Sequence, residues 1–205
     1  MVSPLSLQPF APPADRMTIR RVGMDDWASV RYVHASAFRI LASSDCEPPE
    51  LEAFAAYVRS PEYAARLHAE NLHAGWLDGE LVGTAGWTPA DDSGSLARIT
   101  SVFVRPLFTR LGIGRRLALD AEARARAAGF ARFSARATLN SVGFFEKLGY
   151  DVTSHGIHAI ATEQGMPVTY MRKHEAAVHP APMPGPAEPQ SQSLELQNLV
   201  TPRAR

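Results

Sequence analysis

The 205-residue chain has one cysteine, Cys46, which excludes an internal disulfide framework and any multi-cysteine zinc site and fits a reducing compartment. It has no apolar run near the roughly 20 residues that a membrane-spanning helix needs. Residues 1–15 have neither the positive nor the apolar region of a secretory signal. Neither sign of charge is in excess, because 21 Lys and Arg balance 21 Asp and Glu. The chain as a whole therefore offers no electrostatic footprint for nucleic acid or an anionic membrane, and any charge-based binding must be local. Together these absences lead to the expectation of a soluble cytoplasmic protein with neither a nucleic-acid nor a membrane partner.

With 205 residues, 45% of them hydrophobic, the chain can bury one substantial core. Its sixteen prolines are concentrated at the ends, with Pro4, Pro9, Pro12 and Pro13 before Met17 and a second group from Pro180 to Pro202. Proline lacks an amide donor and fixes φ, so such segments build neither ladder nor helix. The expected organisation is a disordered proline-rich segment over 1–16, a folded domain over 17–173 and a disordered proline-rich tail over 174–205. Within the tail, Leu194–Val200 reads as a frayed end rather than a docking helix.

Inside the domain the hydrophobic pattern alternates. A strand over Met17–Val22 precedes a helix with Trp27, Val30, Val33, Phe38 and Leu41 at helical spacing. Leu51, Phe54 and Val58 mark a second helix, and Ser60-Pro61 restarts a short third one with a capping residue and an N1 proline. Two apolar runs flank Asp78-Gly79, a hairpin signal. A strand over Ala97–Val104 then meets Pro106, a basic turn with Gly112 and Gly114, and an Arg- and Ala-rich helix that Gly129 ends. Further strand, short helix and strands follow. The expected fold is α/β (α+β): a single mixed, mostly antiparallel sheet with a central parallel β-α-β unit and helices on both faces.

The turn at Thr109–Arg116 is the chemically informative stretch. A helix N-terminus has amides without intrahelical acceptors and a partial positive charge, so it attracts phosphate. Gly112 and Gly114 let ligand oxygens approach the backbone, and Arg110, Arg115 and Arg116 add fork-shaped cations. Taken alone, the same residues could make a tight turn with a solvated basic face. The turn lacks the Gly-Lys-Ser/Thr ending of a nucleotide-binding P-loop, and the third glycine and acidic partner of a dinucleotide site.

The run Ile99–Leu117 resembles motif A of the GNAT-type acyl-CoA N-acyltransferases, and Asn140–Tyr150 is similar to their motif B. The resemblance spans 17–173 and implies the GNAT fold, with acetyl-CoA as co-substrate and no metal. It implies pantetheine contacts from Val102, Phe103, Val104, Asn140 and Phe144, and a diphosphate cradle from Thr109, Arg110, Leu111, Gly112, Ile113, Gly114 and Arg115. Asn140 also suits a helix N-cap. The implied partner is a small-molecule or peptide amine acceptor, and a homodimer is compatible with the family.

Two departures bear on the chemistry. Thr109 stands where the family signature has Arg or Gln, and Phe145 stands where motif B often has a proton-donating Tyr. A thiol of pKa near 8.5 leaves as thiolate at modest cost near neutral pH, so a positioned acid is useful but not essential. Tyr150 is a candidate replacement acid, though its position after Gly149 suits a core strand. The stretch Ala97–Ser101 has no glutamate base. Candidates elsewhere are His155 and His158, with His73 and Glu80 behind them. The alternative to an enzyme is a non-catalytic acyl-CoA-binding sensor with the same fold.

Overall fold

Asp78 and Gly79 both take positive φ, 51° and 84°, the combination that a tight hairpin turn requires. The flanking runs accordingly pair as antiparallel strands. This hairpin belongs to a computed structural model that describes residues 11–43, 46–92, 94–161 and 164–173. All of these residues lie in one compact unit. In chain order the elements are α1 (Pro13–Arg16), β1 (Thr18–Arg21), α2 (Trp27–Leu41), α3 (Pro48–Arg59), α4 (Pro61–Ala69), β2 (His73–Leu77), β3 (Glu80–Pro89) and β4 (Leu96–Val104). They continue with α5 (Ile113–Ala127), β5 (Arg132–Ala137), α6 (Val142–Glu146), β6 (Tyr150–Ala161) and β7 (Gln164–Lys173).

The strands form one seven-stranded sheet in the order β1-β2-β3-β4-β5-β7-β6. Among the described residues only β4 and β5 run parallel, which is the expected mixed sheet around a central β-α-β unit. On one face, Leu117, Ala121 and Ala125 of α5 pack with Ala97, Ile99, Phe133 and Ala135. On the other, α2, α3 and α4 bring Val30, Val33, Phe54, Val58 and Leu67 to a second core. Burying a residue such as Leu117 or Phe133 contributes about 1.5–3 kcal/mol, so the two layers fix the sheet from both sides. Period-2 alternation then sets the orientation of β4: Ala97 and Ile99 face the α5 core, and Arg98 and Thr100 face the opposite side.

The start of the chain differs from the sequence reading. Residues 13–16, expected to be disordered, form the helical turn α1, with Pro13 at its first position. Arg116 donates to the Ala14 carbonyl and Arg16 pairs with Asp78. A proline in the first turn loses no intrahelical bond, so it can open a helix where it could not continue one. Residues 1–10 and the tail over 174–205 lie outside the described residues.

Glu122 lies on α5 yet is 1% exposed. Its carboxylate accepts from the Tyr150 hydroxyl at 2.9 Å and from Lys173 at 2.8 and 3.0 Å. A buried carboxylate needs such donors, and β6 and β7 deliver them.

Candidate active site

The parallel pair stays together for only a few residues. β4 and β5 register from Leu96↔Arg132 to Ile99↔Ala135. Beyond that point β5 continues beside β7, while β4 continues beside β3. Ser101 lies at this divergence with φ of 51°, close to a register shift between β3 and β4. A non-glycine residue at positive φ is held by its surroundings rather than by preference.

A cavity of about 1050 Å³ fills the divergence and runs from the turn before α5 to the carboxylate of Glu70. At the turn end, Arg110 and Gly112 take φ of 63° and 79°. Among the described residues, no backbone carbonyl accepts from the amides of residues 110–115; the first helical bond is Arg116 N–H to the Gly112 carbonyl at 3.0 Å. Successive free amides around left-handed residues form an anion-binding concavity. A Cβ on Gly114 would stand 3.3 Å from Val104 and 3.4 Å from Phe144, so a side chain there would press on both and narrow the groove. These features fit a diphosphate ester.

The far end of the cavity is polar. Glu70 follows α4 directly and is 5% exposed. Its Oε1 accepts from Arg66 at 2.5 Å, and its Oε2 accepts from Thr100 Oγ1 at 3.0 Å and Ser101 Oγ at 2.7 Å. Arg136 Nη1 donates to His158 Nε2 at 2.6 Å. Burial, then the neighbouring Arg136, Arg66 and Arg98, hold His158 down to about 4. Its ring is therefore neutral near pH 7, with the Nε2 lone pair already engaged.

Behind this wall a buried relay fixes Ser101. Thr84 Oγ1 gives its one proton to the Ser101 carbonyl at 2.7 Å, so it accepts from His34 Nε2 at 2.8 Å. His34 Nδ1 in turn accepts from the Tyr63 hydroxyl at 2.6 Å. His34 is fully buried, and burial lowers its pKa from 6.5 to about 3. The unfolded chain thus binds a proton that the folded chain refuses between about pH 6.5 and 3. Stability from this group is complete above 6.5 and declines on acidification by up to about 1.4 kcal/mol per pH unit. Thermal unfolding of the wild type is expected to drop steeply from pH 6.5 to 4.5, and His34→Gln to lose much of that slope while being less stable at pH 7. Parallel pH profiles for the two proteins would contradict the assignment.

Of the residues expected to hold acetyl-CoA, Val102, Phe103, Val104, Thr109, Arg110 and Gly112 line the cavity, as do Gly114, Arg115, Asn140 and Phe144. The side chains of Leu111 and Ile113 do not: Leu111 is exposed and Ile113 sits in the core at 1% exposure. Only their amides face the task assigned to them. Asn140 Nδ2 donates to the Leu41 carbonyl at 2.7 Å, tying the motif B turn to the end of α2.

The three candidate catalytic residues separate. His158 lines the cavity, whereas His155 is exposed and bonded to Thr169 at 3.1 Å. Tyr150 is 1% exposed and donates to Glu122, and burial pushes its phenol far above the ordinary range. Tyr150 is a core residue, so its assignment as a substitute acid is corrected. Of the reserve bases, His73 contacts the Asn71 carbonyl and Glu80 pairs with Arg105; neither lines the cavity. Glu70, Arg66, Arg98 and Arg136 were not foreseen. The one signal for Glu70 was its i,i+4 spacing from Arg66.

An open mixed sheet parted at its central parallel pair, with a basic anion-binding turn beyond the parting strand, defines an acyltransferase-type fold. The model of the Acetyltransferase (GNAT) family matches residues 27–150, and the chain belongs to that family. Among solved structures, a GCN5-related N-acetyltransferase from Rhodopseudomonas palustris is 23% identical with a TM-score of 0.67, over 76% of this chain and 94% of that one. PaiA N-acetyltransferase from Thermoplasma acidophilum, solved with coenzyme A, is 16% identical with a TM-score of 0.57, over 77% of this chain and 98% of that one. The ribosomal-protein-S18-alanine N-acetyltransferase from Escherichia coli is 16% identical with a TM-score of 0.52, over 77% and 92%. At these identities the likeness is one of fold. No curated protein sequence matches the chain. Among the described residues, no helix is long and apolar enough to cross a membrane and no cluster of His, Cys, Asp and Glu could hold a metal.

Proposed function

We propose that the chain, over residues 17–173, transfers an acetyl group from acetyl-CoA to a primary amine in the cytoplasm. The observation that carries this reading is the continuity of one cavity from the free amides of 110–115 to Glu70 past the bulge at Ser101. A module that only sensed acyl-CoA would need the first part of that cavity and not the second. The opposing observation is Phe145, buried at 5% where a proton donor would stand.

Bound acetyl-CoA supplies an activated acyl carbon whose bond to sulfur breaks with the electron pair leaving on sulfur. The turn amides with Arg110 and Arg115 hold the diphosphate, and the unpaired edge of β4 orients the pantetheine arm. Proximity then does much of the work, since held reactants need no further collision. Ser101 Oγ donates to Glu70, which leaves its own lone pair for an amine N–H. As nitrogen bonds to the acyl carbon, Ser101 takes that proton and passes its own to Glu70 Oε2. His158 is a poorer base, because Arg136 holds its lone pair and its pKa is depressed.

The test is release of CoA thiol from acetyl-CoA across a panel of amines. Amine-dependent release with stoichiometric N-acetylated product is expected. Tight acetyl-CoA binding with no release from any amine would favour the sensor.

A further inference from the structure

Three guanidiniums, Arg66, Arg98 and Arg136, line the acceptor end of the cavity against one carboxylate, Glu70. Glu70 and Arg66 form an ion pair at 2.5 Å, although the Arg66 Nε also has no acceptor. Arg98 has no hydrogen-bond or ion-pair partner among the described residues, and Arg136 has no carboxylate partner there: it bonds to the neutral ring of His158 and lies over the Tyr170 ring at 5.9 Å. The buried Nε of Arg136 has no acceptor. Burial, then the charge of Arg98, hold the Arg136 pKa below its usual value, as expected for two cations that share a pocket without a counter-ion. Adjacent uncompensated guanidiniums are costly unless a ligand neutralises them.

That ligand is not the diphosphate of the co-substrate. Arg98 lies six residues before Val104, the last residue of β4. At roughly 3.3 Å per residue the strand spans at most about 20 Å from Arg98 to the start of the turn that leads to the free amides, shortened somewhat by the bulge at Ser101. Free amides thus stand at one end of the cavity and the guanidiniums of Arg98 and Arg136 at the other, with Ser101 and Glu70 nearer the second.

Resting on the transferase reading above, we propose that the acceptor is an amine that carries its own anionic group, a carboxylate or a phosphate, which Arg98 and Arg136 hold while Glu70 faces the amine. Arg136 presents the planar fork that matches either oxyanion. Two cations without a carboxylate partner beside the one carboxylate disfavour polyamines and aminoglycosides, which would meet like charge.

The experiment uses the full chain saturated with CoA and measures calorimetric binding of matched probes. Amino acids are set beside their carboxamides, phosphoethanolamine beside ethanolamine, and spermidine serves as a polycation. The anionic member of at least one pair is expected to bind about tenfold or more tighter than its neutral partner. Preference confined to the amino acids assigns a carboxylate, and preference confined to phosphoethanolamine assigns a phosphate. Arg98→Gln and Arg136→Gln are each expected to abolish the preference while leaving CoA affinity unchanged, and Arg136→Lys to restore part of it. Equal binding within every pair, tighter binding of spermidine, or a preference that survives both Gln variants would overturn the proposal. Thiol release is scored separately: an anion preference without release sinks the transferase reading and spares the anion site, while release from cationic amines without the preference does the reverse.

Discussion

Gly112→Glu is expected to weaken CoA binding by about 100-fold or more, measured by calorimetry. Two effects combine. Gly112 has φ of 79°, where any L residue is strained by roughly 1–2 kcal/mol. A Cβ there would stand 3.5 Å from that of Ala14, and the added negative charge would oppose an anion drawn to the neighbouring free amides and the helix dipole. Gly112→Ala carries the strain without the charge, so it should cost stability by about 1 kcal/mol and affinity by less than about tenfold. Equal losses in the two variants would mean that the turn matters only for its shape. Unchanged affinity in Gly112→Glu would mean that the diphosphate lies elsewhere.

Glu70→Gln is expected to lower kcat/KM by about 10²-fold or more, the contribution typical of a positioned base, with CoA affinity unchanged. The amide is nearly isosteric and keeps one acceptor oxygen for Ser101 or Arg66, so the fold should survive. Glu70→Leu is the structural contrast. It leaves Arg66, Thr100 and Ser101 without their shared acceptor and should cost about 2–3 kcal/mol of stability; Arg66 reaches solvent, which keeps the loss below that of a sealed ion pair.

The contrast between Gly112 and Glu70 shows what the sequence could disclose. Gly112 and Gly114 sit in a local pattern of strand, proline, basic turn and helix, and local patterns are readable because neighbours in sequence are neighbours in space. The Asp78-Gly79 hairpin and the Ser60 cap, whose Oγ accepts from Tyr63 N–H at 3.1 Å, were legible for the same reason. Glu70 meets Thr100 and Ser101 thirty residues on, across β3 and β4, and no spacing rule announces such a meeting. Arg98 and Arg136 were hidden in another way. Each alternates with apolar residues on its strand, so each reads as a solvated face until the parallel register of β4 and β5 puts both on the side of α2–α4.

Glu122 and Tyr150 show a different gap. In sequence Tyr150 stands as a candidate replacement acid although its position after Gly149 suits a core strand, and its hydroxyl and Lys173 both donate to the Glu122 carboxylate in the core. The cost of burying one polar group is offset by another that arrives from 28 or 51 residues away, which only the assembled sheet provides. Tyr150 therefore offers no substitute for the proton donor missing at Phe145.

The most direct test of the account is a crystal structure of the chain with acetyl-CoA. Diphosphate oxygens should accept from amides within residues 110–115, and the thioester should lie beside Ser101 with Glu70 beyond it. A diphosphate bound away from that turn, or a thioester that points away from Ser101 and Glu70, would contradict it.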